Sequence, residues 1–222
     1  MRRRWFRTRA LAGVAGPAAF TAAWVFGTAR QHGRDGYTVQ VEQISGLAAP
    51  DARHPAVMTA GFLAYSAGMW LFASALDDAV GGRGRARIGP HLVRLGALGI
   101  AGAGILRRDR MLLIDLDGDE VQSGQNDLHD AASAVAFTSL FFAPLALAPD
   151  LRRHADTRMV VMSGIAATTV AAAVLVVFQS KRFRRYNGIL QRVAVTLPML
   201  PTAALALRLA ARDTDPRRGS AA

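Results

Sequence analysis

The chain has 222 residues, 51% of them hydrophobic, and carries a formal net charge of +11. It contains no cysteine, which excludes disulfides, thiolate metal sites and a cysteine nucleophile. The basic residues flank long apolar blocks instead of gathering on one face, so they indicate membrane lipids and no nucleic acid as partners. Lys181 is the only lysine, and this excess of arginine is typical of a GC-rich bacterial genome.

Six apolar blocks follow one another along the chain, most of them near the ~20 residues that a helix needs to cross a bilayer. They cover residues 10–29, 56–76, 92–106, 131–148, 159–178 and 189–209. The third block is short and rich in glycine, and small residues let membrane helices pack closely. The pattern predicts an all-α fold, a polytopic transmembrane bundle of six helices with short loops and two longer outer segments. The whole chain, residues 1–222, is predicted to form a single integral membrane domain.

Basic residues predict the orientation of this bundle, because cytoplasmic loops of membrane proteins are enriched in Arg and Lys. Sixteen basic residues fall on the side of both termini and ten on the other side, with Arg192 inside the last helix. We therefore expect a multi-pass protein of the bacterial plasma membrane with cytoplasmic basic tails at residues 1–9 and 210–222. The outer loop at 181–185 runs against this bias. A twin-arginine-like start at residues 3–6 leaves a cleaved first segment as the alternative.

The first outer segment, residues 30–55, is long enough to hold structure. Its apolar residues alternate at Val39 and Val41, which predicts a short helix or ribbon lying on the membrane surface. Ser45 lies beside a glycine, and His54 directly precedes the proline that begins the second helix. A turn and a helix start explain these two side chains without a catalytic role.

The segment 107–130 holds seven of the sixteen acidic residues. Its run from Asp115 to Glu120 resembles a calcium-binding loop, but Glu120 and Asn126 occupy the positions at which an EF-hand has Gly and Glu. No cofactor is predicted. Weak binding of a divalent cation by this outer acidic loop is left as an alternative, because oxygen ligands suit hard cations.

A dense polar cluster precedes the fourth apolar block. Asp127 is predicted as the helix N-cap, and Asp130 as a first-turn acid that the helix dipole favours. His129 and Ser133 are four residues apart and share one face of the helix. Gln191 and Arg192 lie near the start of the predicted sixth helix, at the same end of the bundle as this cluster. Together they are expected to line a polar ligand pocket on the outer face, formed by His129, Asp130, Ser133, Gln191 and Arg192.

The sixth helix has two further features. Arg192 places a charge near the membrane boundary, where it either snorkels to the headgroups or faces inward and pairs with an acidic group. Pro198 and Pro201 are predicted to kink the helix near mid-membrane, which requires neighbours that satisfy the freed carbonyls.

Three stretches resemble the domain-of-unknown-function 998 family. Residues 44–62, with ISGL at 44–47, AGF at 60–62 and Pro50, His54 and Met58 between them, are similar to its first outer loop and second helix. LHDAAS at 128–133 with Ala136-Phe137, and GILQR at 188–192, are similar to its fourth-helix and sixth-helix motifs. The resemblance covers nearly the whole chain and implies a six-span bacterial membrane protein without an established activity. Where the family has a Phe-Pro-x-Asp-like turn, this chain has Leu106-Arg107-Arg108-Asp109.

Three functions are compatible with these features. The first is a non-catalytic envelope protein that binds a lipid or small ligand in the polar pocket. The second is a membrane-embedded hydrolase acting on lipid, metal- or serine-dependent, with the candidate residues Ser45, His54, Asp109, His129 and Asp130. The third is a transporter. The apolar blocks contain no strongly charged path, which counts against proton-coupled transport. We expect the first, leave enzyme activity undecided, and predict no oligomeric state.

Overall fold

The computed structural model describes residues 2–81, 84–112 and 123–212, and these ranges form six α-helices. The helices are α1 Arg2–Gln31, α2 Pro55–Ala79, α3 Ile88–Ile105, α4 Gly124–Leu151, α5 Ala155–Phe178 and α6 Asn187–Arg212. Short 3-10 helices lie in the connections at Ser45–Ala48, Gly84–Arg87 and Lys181–Tyr186. No strand occurs within the described ranges, so the predicted all-α fold is confirmed.

The helices form a closed ring. Each helix packs against the next one in sequence, and α6 also packs against α1. Contacts that join the start of one helix to the end of its neighbour show that neighbouring helices run in opposite directions. The ends of α1, α3 and α5 therefore meet the starts of α2, α4 and α6 at one end of the ring. We call this the pocket end, and the opposite end, where α1 starts and α6 ends, the tail end.

Large apolar side chains cover the outside of the ring. Phe142 in α4, Val176 in α5 and Leu200 in α6 are 56%, 73% and 64% exposed. Such surface is unfavourable in water and favourable against lipid chains. All six helices are long and apolar enough to cross a membrane. The 24-residue α5 spans roughly 36 Å at ~1.5 Å per residue, against a hydrocarbon core of ~30 Å. The chain is a multi-pass membrane protein, as predicted.

The helices extend beyond the apolar blocks at their polar ends. α1 begins at Arg2, inside the stretch predicted as a basic tail, and α4 begins at Gly124, well before the apolar block at 131–148. A helix can continue through the headgroup region, so an apolar block marks only the part that lies in hydrocarbon. The second predicted tail falls mostly on residues 213–222, outside the described ranges.

The glycines of α3 let it lie very close to its neighbours, as the sequence predicted. A Cβ atom at Gly99 would lie 2.6 Å from the backbone nitrogen of Ala136 in α4. A Cβ atom at Gly104 would lie 2.5 Å from the Cβ of Phe62 in α2. Both separations are too short for non-bonded atoms, so larger residues would push the neighbouring helices away.

Among the residues that the structure describes, three ion pairs connect helices at the tail end. They are Arg9–Asp78, Arg94–Asp77 and Arg212–Asp156. These pairs join α1 to α2, α2 to α3 and α5 to α6. Charged side chains at this end are therefore used to hold helices together.

Residues 32–54 fold into the pocket end of the bundle. Residues 42–49 are all buried, and Ile44 and Leu47 are each 2% exposed. The segment contains the 3-10 helix Ser45–Ala48, and its apolar side chains join the hydrophobic core of the bundle. The predicted position on the membrane surface is wrong, because these side chains pack against the helices beneath them.

Candidate functional site

A pocket of about 470 Å³ lies at the pocket end, where α4, α5 and α6 meet residues from the loops. Its volume falls within the ~300–1,000 Å³ range of small-molecule sites. The charged residues that line it are Arg108, Asp130, Lys181 and Arg184, and the other polar ones include Gln43, His129, Ser133, Asn187 and Gln191. The apolar residues that line it are Val41, Ala134, Phe137, Leu175 and Phe178.

The start of α4 is held by Ser123, not by Asp127. The Ser123 hydroxyl accepts a hydrogen bond from Asn126 N at 3.1 Å, which makes Ser123 the N-cap. The same hydroxyl donates to the Asp109 carboxylate, and Asn126 Oδ1 accepts from Asp109 N at 3.1 Å. The predicted Asp127 cap is therefore wrong, and Asp130 lies beyond the first turn. The helix starts earlier because the chain after α3 delivers Asp109 to Ser123.

The ring of His129 is buried, 2% exposed, and its orientation is fixed by the end of α3. Its Nδ1 lies 2.9 Å from Ala103 O and 2.9 Å from Leu106 O. Carbonyl oxygens only accept hydrogen bonds, so Nδ1 carries the hydrogen and donates it. In the neutral ring Nε2 then carries the lone pair, and Ser133 Oγ lies 3.5 Å from it. His129 thus donates a hydrogen bond to carbonyls at the end of α3, where no following helical turn supplies N–H donors. Its Nε2 faces Ser133.

Asp130 forms an ion pair with Arg108 in the pocket lining. Arg108 Nη2 donates to Asp130 Oδ1 at 2.6 Å. The Arg108 side chain is 6% exposed and that of Asp130 is 55% exposed. Because the carboxylate is largely solvated, the pair contributes little stability by itself. Its effect is to hold the Arg108 guanidinium at the pocket, where its buried Nε has no hydrogen-bond partner among the described residues.

Arg192 is 8% exposed and faces inward, toward residues 32–54. Its guanidinium lies 5.7 Å from the Trp24 ring, an attractive cation–π distance. It donates five hydrogen bonds of 2.6–3.2 Å to the carbonyls of Val39, Glu42 and Gly188 and to the hydroxyls of Thr28 and Tyr37. Of the two alternatives for Arg192, the inward-facing one is correct, but neutral acceptors take the place of the expected acidic partner. We call Arg192 the loop clamp.

Two neighbours of the loop clamp complete the contact between α6 and residues 32–54. A Cβ atom at Gly188 would lie 2.3 Å from Val39 O, so this close approach of two backbones requires glycine. Gln191 Oε1 accepts from Ile44 N at 2.6 Å, and its Nε2 donates to Gln43 Oε1 at 3.4 Å. Gln191 therefore joins the loop to the pocket lining.

The structure brings together four of the five residues predicted for the ligand pocket. His129, Asp130, Ser133 and Gln191 line the pocket, whereas Arg192 does not. Arg192 is excluded because its side chain turns to the loop on the other side of Gln191. The binding of a ligand at the four remaining residues stays a prediction.

The five hydrolase candidates lie in separate places. Ser45 is 3% exposed, with its hydroxyl 3.3 Å from Gln43 Oε1. His54 precedes α2, with its ring 5.5 Å from that of Phe26. Neither residue lines the pocket, and Asp109 is held at Ser123. Of this set, His129 and Asp130 lie at the pocket.

Metal binding has no geometric support in the described ranges. No group of three or more His, Cys, Asp or Glu side chains there is arranged to hold a metal ion. The run from Asp115 to Glu120, on which the divalent-cation alternative depends, lies outside the part of the chain that the structure describes.

The sequence reasoning missed several polar residues of the pocket lining, among them Arg108, Lys181, Arg184 and Asn187. Arg108 was assigned only to the turn after the third helix, and Lys181 only to the basic outer loop. Each lies next to a helix end on the predicted outer side, as His129 does. That shared placement is the signal that could have identified them.

Two small apolar cavities lie within the bundle next to the pocket. The first, about 70 Å³, shares Ser133 and Phe137 with the pocket. The second, about 60 Å³, shares Tyr65, Leu140 and Pro198 with the first. The lining therefore changes from polar to apolar beyond Ser133.

Comparison with known proteins agrees with the resemblance of the sequence motifs. Residues 14–208 match the family described as protein of unknown function (DUF998), a range that includes every residue of the pocket lining. No curated protein and no solved structure matches the chain. Because the match covers far more than half of the sequence, the chain belongs to the DUF998 family.

Proposed function

We propose that this protein binds a lipid with an acidic head group. The head group occupies the pocket, and the first part of an acyl chain lies against Phe137, Leu175 and Phe178. The observation that carries the proposal is the change from the polar lining of the pocket to the apolar lining of a neighbouring cavity, which shares Ser133 and Phe137 with it. In this proposal the pocket end faces outward from the bacterial plasma membrane and both termini are cytoplasmic, on the basis of the distribution of basic residues.

The charge of the lining favours an acidic head group. The described lining has three cationic side chains, Arg108, Lys181 and Arg184, and one carboxylate, Asp130. A basic residue near a membrane surface attracts anionic lipid by about 1 kcal/mol. The position also suits a head group, because α4 and α6 start here and α5 ends here.

The apolar part of the space suits the beginning of a chain. Phe137, Leu175 and Phe178 come from α4 and α5, so a lipid bound between them remains in contact with the bilayer. The two inner cavities are small, about 70 and 60 Å³, and take only a few methylene groups. The rest of each chain stays in the surrounding membrane.

Binding of fluorescent phosphatidylglycerol to the purified full chain in detergent tests this proposal, with phosphatidylcholine as the neutral comparison. Lys181→Gln removes one lining charge and should weaken phosphatidylglycerol binding about fivefold, the equivalent of ~1 kcal/mol. Arg182→Gln is the matched control, because Arg182 is exposed on the same 3-10 helix and does not line the pocket.

A second pair of variants tests the apolar part. Val195→Phe fills the first inner cavity and should weaken binding of both lipids. Val193→Phe is the control on the same helix, because Val193 is 43% exposed on the lipid-facing side. Equal affinity for the two lipids, unchanged by Lys181→Gln and Val195→Phe, would contradict the proposal.

A further inference from the structure

Ser133 lies at the boundary between the polar pocket and the first apolar cavity, and lines both. In a glycerolipid, the ester bonds lie at the corresponding boundary between the head group and the acyl chains. If the proposed function holds, an ester carbonyl of the bound lipid therefore lies beside the Ser133 hydroxyl. The inference below rests on that function.

His129 is oriented as a general base toward this hydroxyl. Donation from Nδ1–H to Ala103 O and Leu106 O, each 2.9 Å away, leaves the Nε2 lone pair on the side of Ser133. Ser133 Oγ is 3.5 Å from Nε2, one helical turn away on the same face of α4. Nucleophile–base contacts are often this loose before substrate binds.

A purely structural role explains the hydrogen bonds of His129 Nδ1 but not the position of the Ser133 hydroxyl. The bonds from Nδ1 explain His129 as a group that satisfies carbonyls at the end of α3. They do not explain a hydroxyl at Nε2 that is also placed at the junction of two cavities. The two backbone carbonyls can hold the ring and stabilise an imidazolium, as a carboxylate does in a catalytic triad.

We infer that Ser133 and His129 form a catalytic dyad that cleaves an acyl ester of the bound lipid. Ser133 Oγ bonds to the ester carbonyl carbon while its proton passes to His129 Nε2. The ester C–O bond then breaks, and the glycerol oxygen leaves with that proton. Water attacks the acyl-serine and gives a proton to Nε2, which returns it to the serine oxygen. The products are a fatty acid and a lysolipid.

Of the three cationic side chains in the described lining, Arg108 is the one that we assign to the developing oxyanion. It lines the same pocket, and its buried Nε–H has no hydrogen-bond partner among the described residues. A positioned donor of this kind is effective in a site that excludes water. Asp130 holds this guanidinium in place through its ion pair.

Labelling of the purified full chain with a fluorescent fluorophosphonate tests the dyad, because this reagent bonds to activated serines. Wild type should be labelled, and Ser133→Ala should not. His129→Gln keeps an N–H donor for the carbonyls but removes the base, and should slow labelling at least ~100-fold. Ser139→Ala is the control, a buried serine of the same helix outside the pocket lining, and should label as wild type. Release of fatty acid from phosphatidylglycerol should follow the same order.

Phosphatidylglycerol binding, measured on the same samples, separates the two hypotheses. A wild type that binds this lipid but is not labelled, or labelling that persists in Ser133→Ala, overturns the dyad and leaves the proposed function standing. A wild type that binds no phosphatidylglycerol refutes the proposed function and the dyad with it.

Discussion

Replacing the loop clamp, Arg192, should release residues 32–54 from the bundle. Arg192→Leu removes five hydrogen bonds from a cationic donor and leaves the carbonyls of Val39 and Glu42 without it at a buried site. Bonds of this kind contribute ~1.5–3 kcal/mol each but do not add simply. A buried acceptor left without its donor costs about 1–3 kcal/mol, so we estimate a loss of about 3 kcal/mol in total for this variant.

Limited trypsin digestion reads out this release directly, because Arg34 and Arg53 are exposed cleavage sites within the segment. A loss of ~3 kcal/mol raises the population of the opened loop on the order of 100-fold, since each ~1.4 kcal/mol is a factor of ten. Cleavage at both sites should accelerate accordingly. Arg192→Lys should be intermediate, because an ammonium lacks the planar fork of donors. Arg182→Leu is the exposed control, and wild-type cleavage rates in Arg192→Leu would refute the assignment of Arg192 as a clamp.

Three further predictions concern topology and local packing. In intact cells, His32→Cys should react with an impermeant thiol reagent and Arg153→Cys should not, and the reverse pattern would invert the proposed orientation. Ser123→Ala should lower the free energy of unfolding by about 1 kcal/mol through loss of the α4 cap, measured against the exposed control Ser163→Ala, and equal losses would argue against the cap. Gly188→Ala should destabilise more than either, because its Cβ would lie 2.3 Å from a backbone oxygen, and a neutral effect would show that the backbones can separate easily.

Much of the fold follows from local patterns in the sequence. Block length is a property of consecutive residues, so the six helices could be predicted without knowing their neighbours. The close packing of α3 followed from the same logic, since glycines such as Gly99 permit close approach to whatever helix lies alongside. The shared face of His129 and Ser133 required only the helical repeat.

Other features depend on contacts between distant parts of the chain, and the sequence could not reveal these. Ser123 and Asp127 are both good N-cap residues, and the choice between them depends on where the chain after α3 delivers Asp109. The inward direction of Arg192 was one of two open alternatives. Four of its five hydrogen-bond acceptors come from residues 28–42, more than 140 positions away in the chain. The burial of residues 42–49 follows from the same contact.

Only part of the pocket could be predicted, because the rest of its lining also depends on contacts between distant parts of the chain. His129, Asp130 and Gln191 mark helix ends on one side, and a polar mouth follows from that placement. Arg108 could not be assigned to Asp130 because the ion pair joins two segments whose relative position is set by the packing of α3 on α4. The apolar cavities beyond Ser133 depend on the packing of several helices and leave no trace in any single stretch.

Photo-crosslinking tests most directly whether the pocket holds a lipid. Phosphatidylglycerol that carries a diazirine near the start of one acyl chain would be crosslinked to the purified full chain, and the adducts mapped by mass spectrometry. The account predicts adducts concentrated on α4 around Ser133 and Phe137, and their loss in competition with unlabelled phosphatidylglycerol. Adducts spread over lipid-facing side chains such as Phe142 and Leu200, with no enrichment at the pocket and no competition, would contradict it.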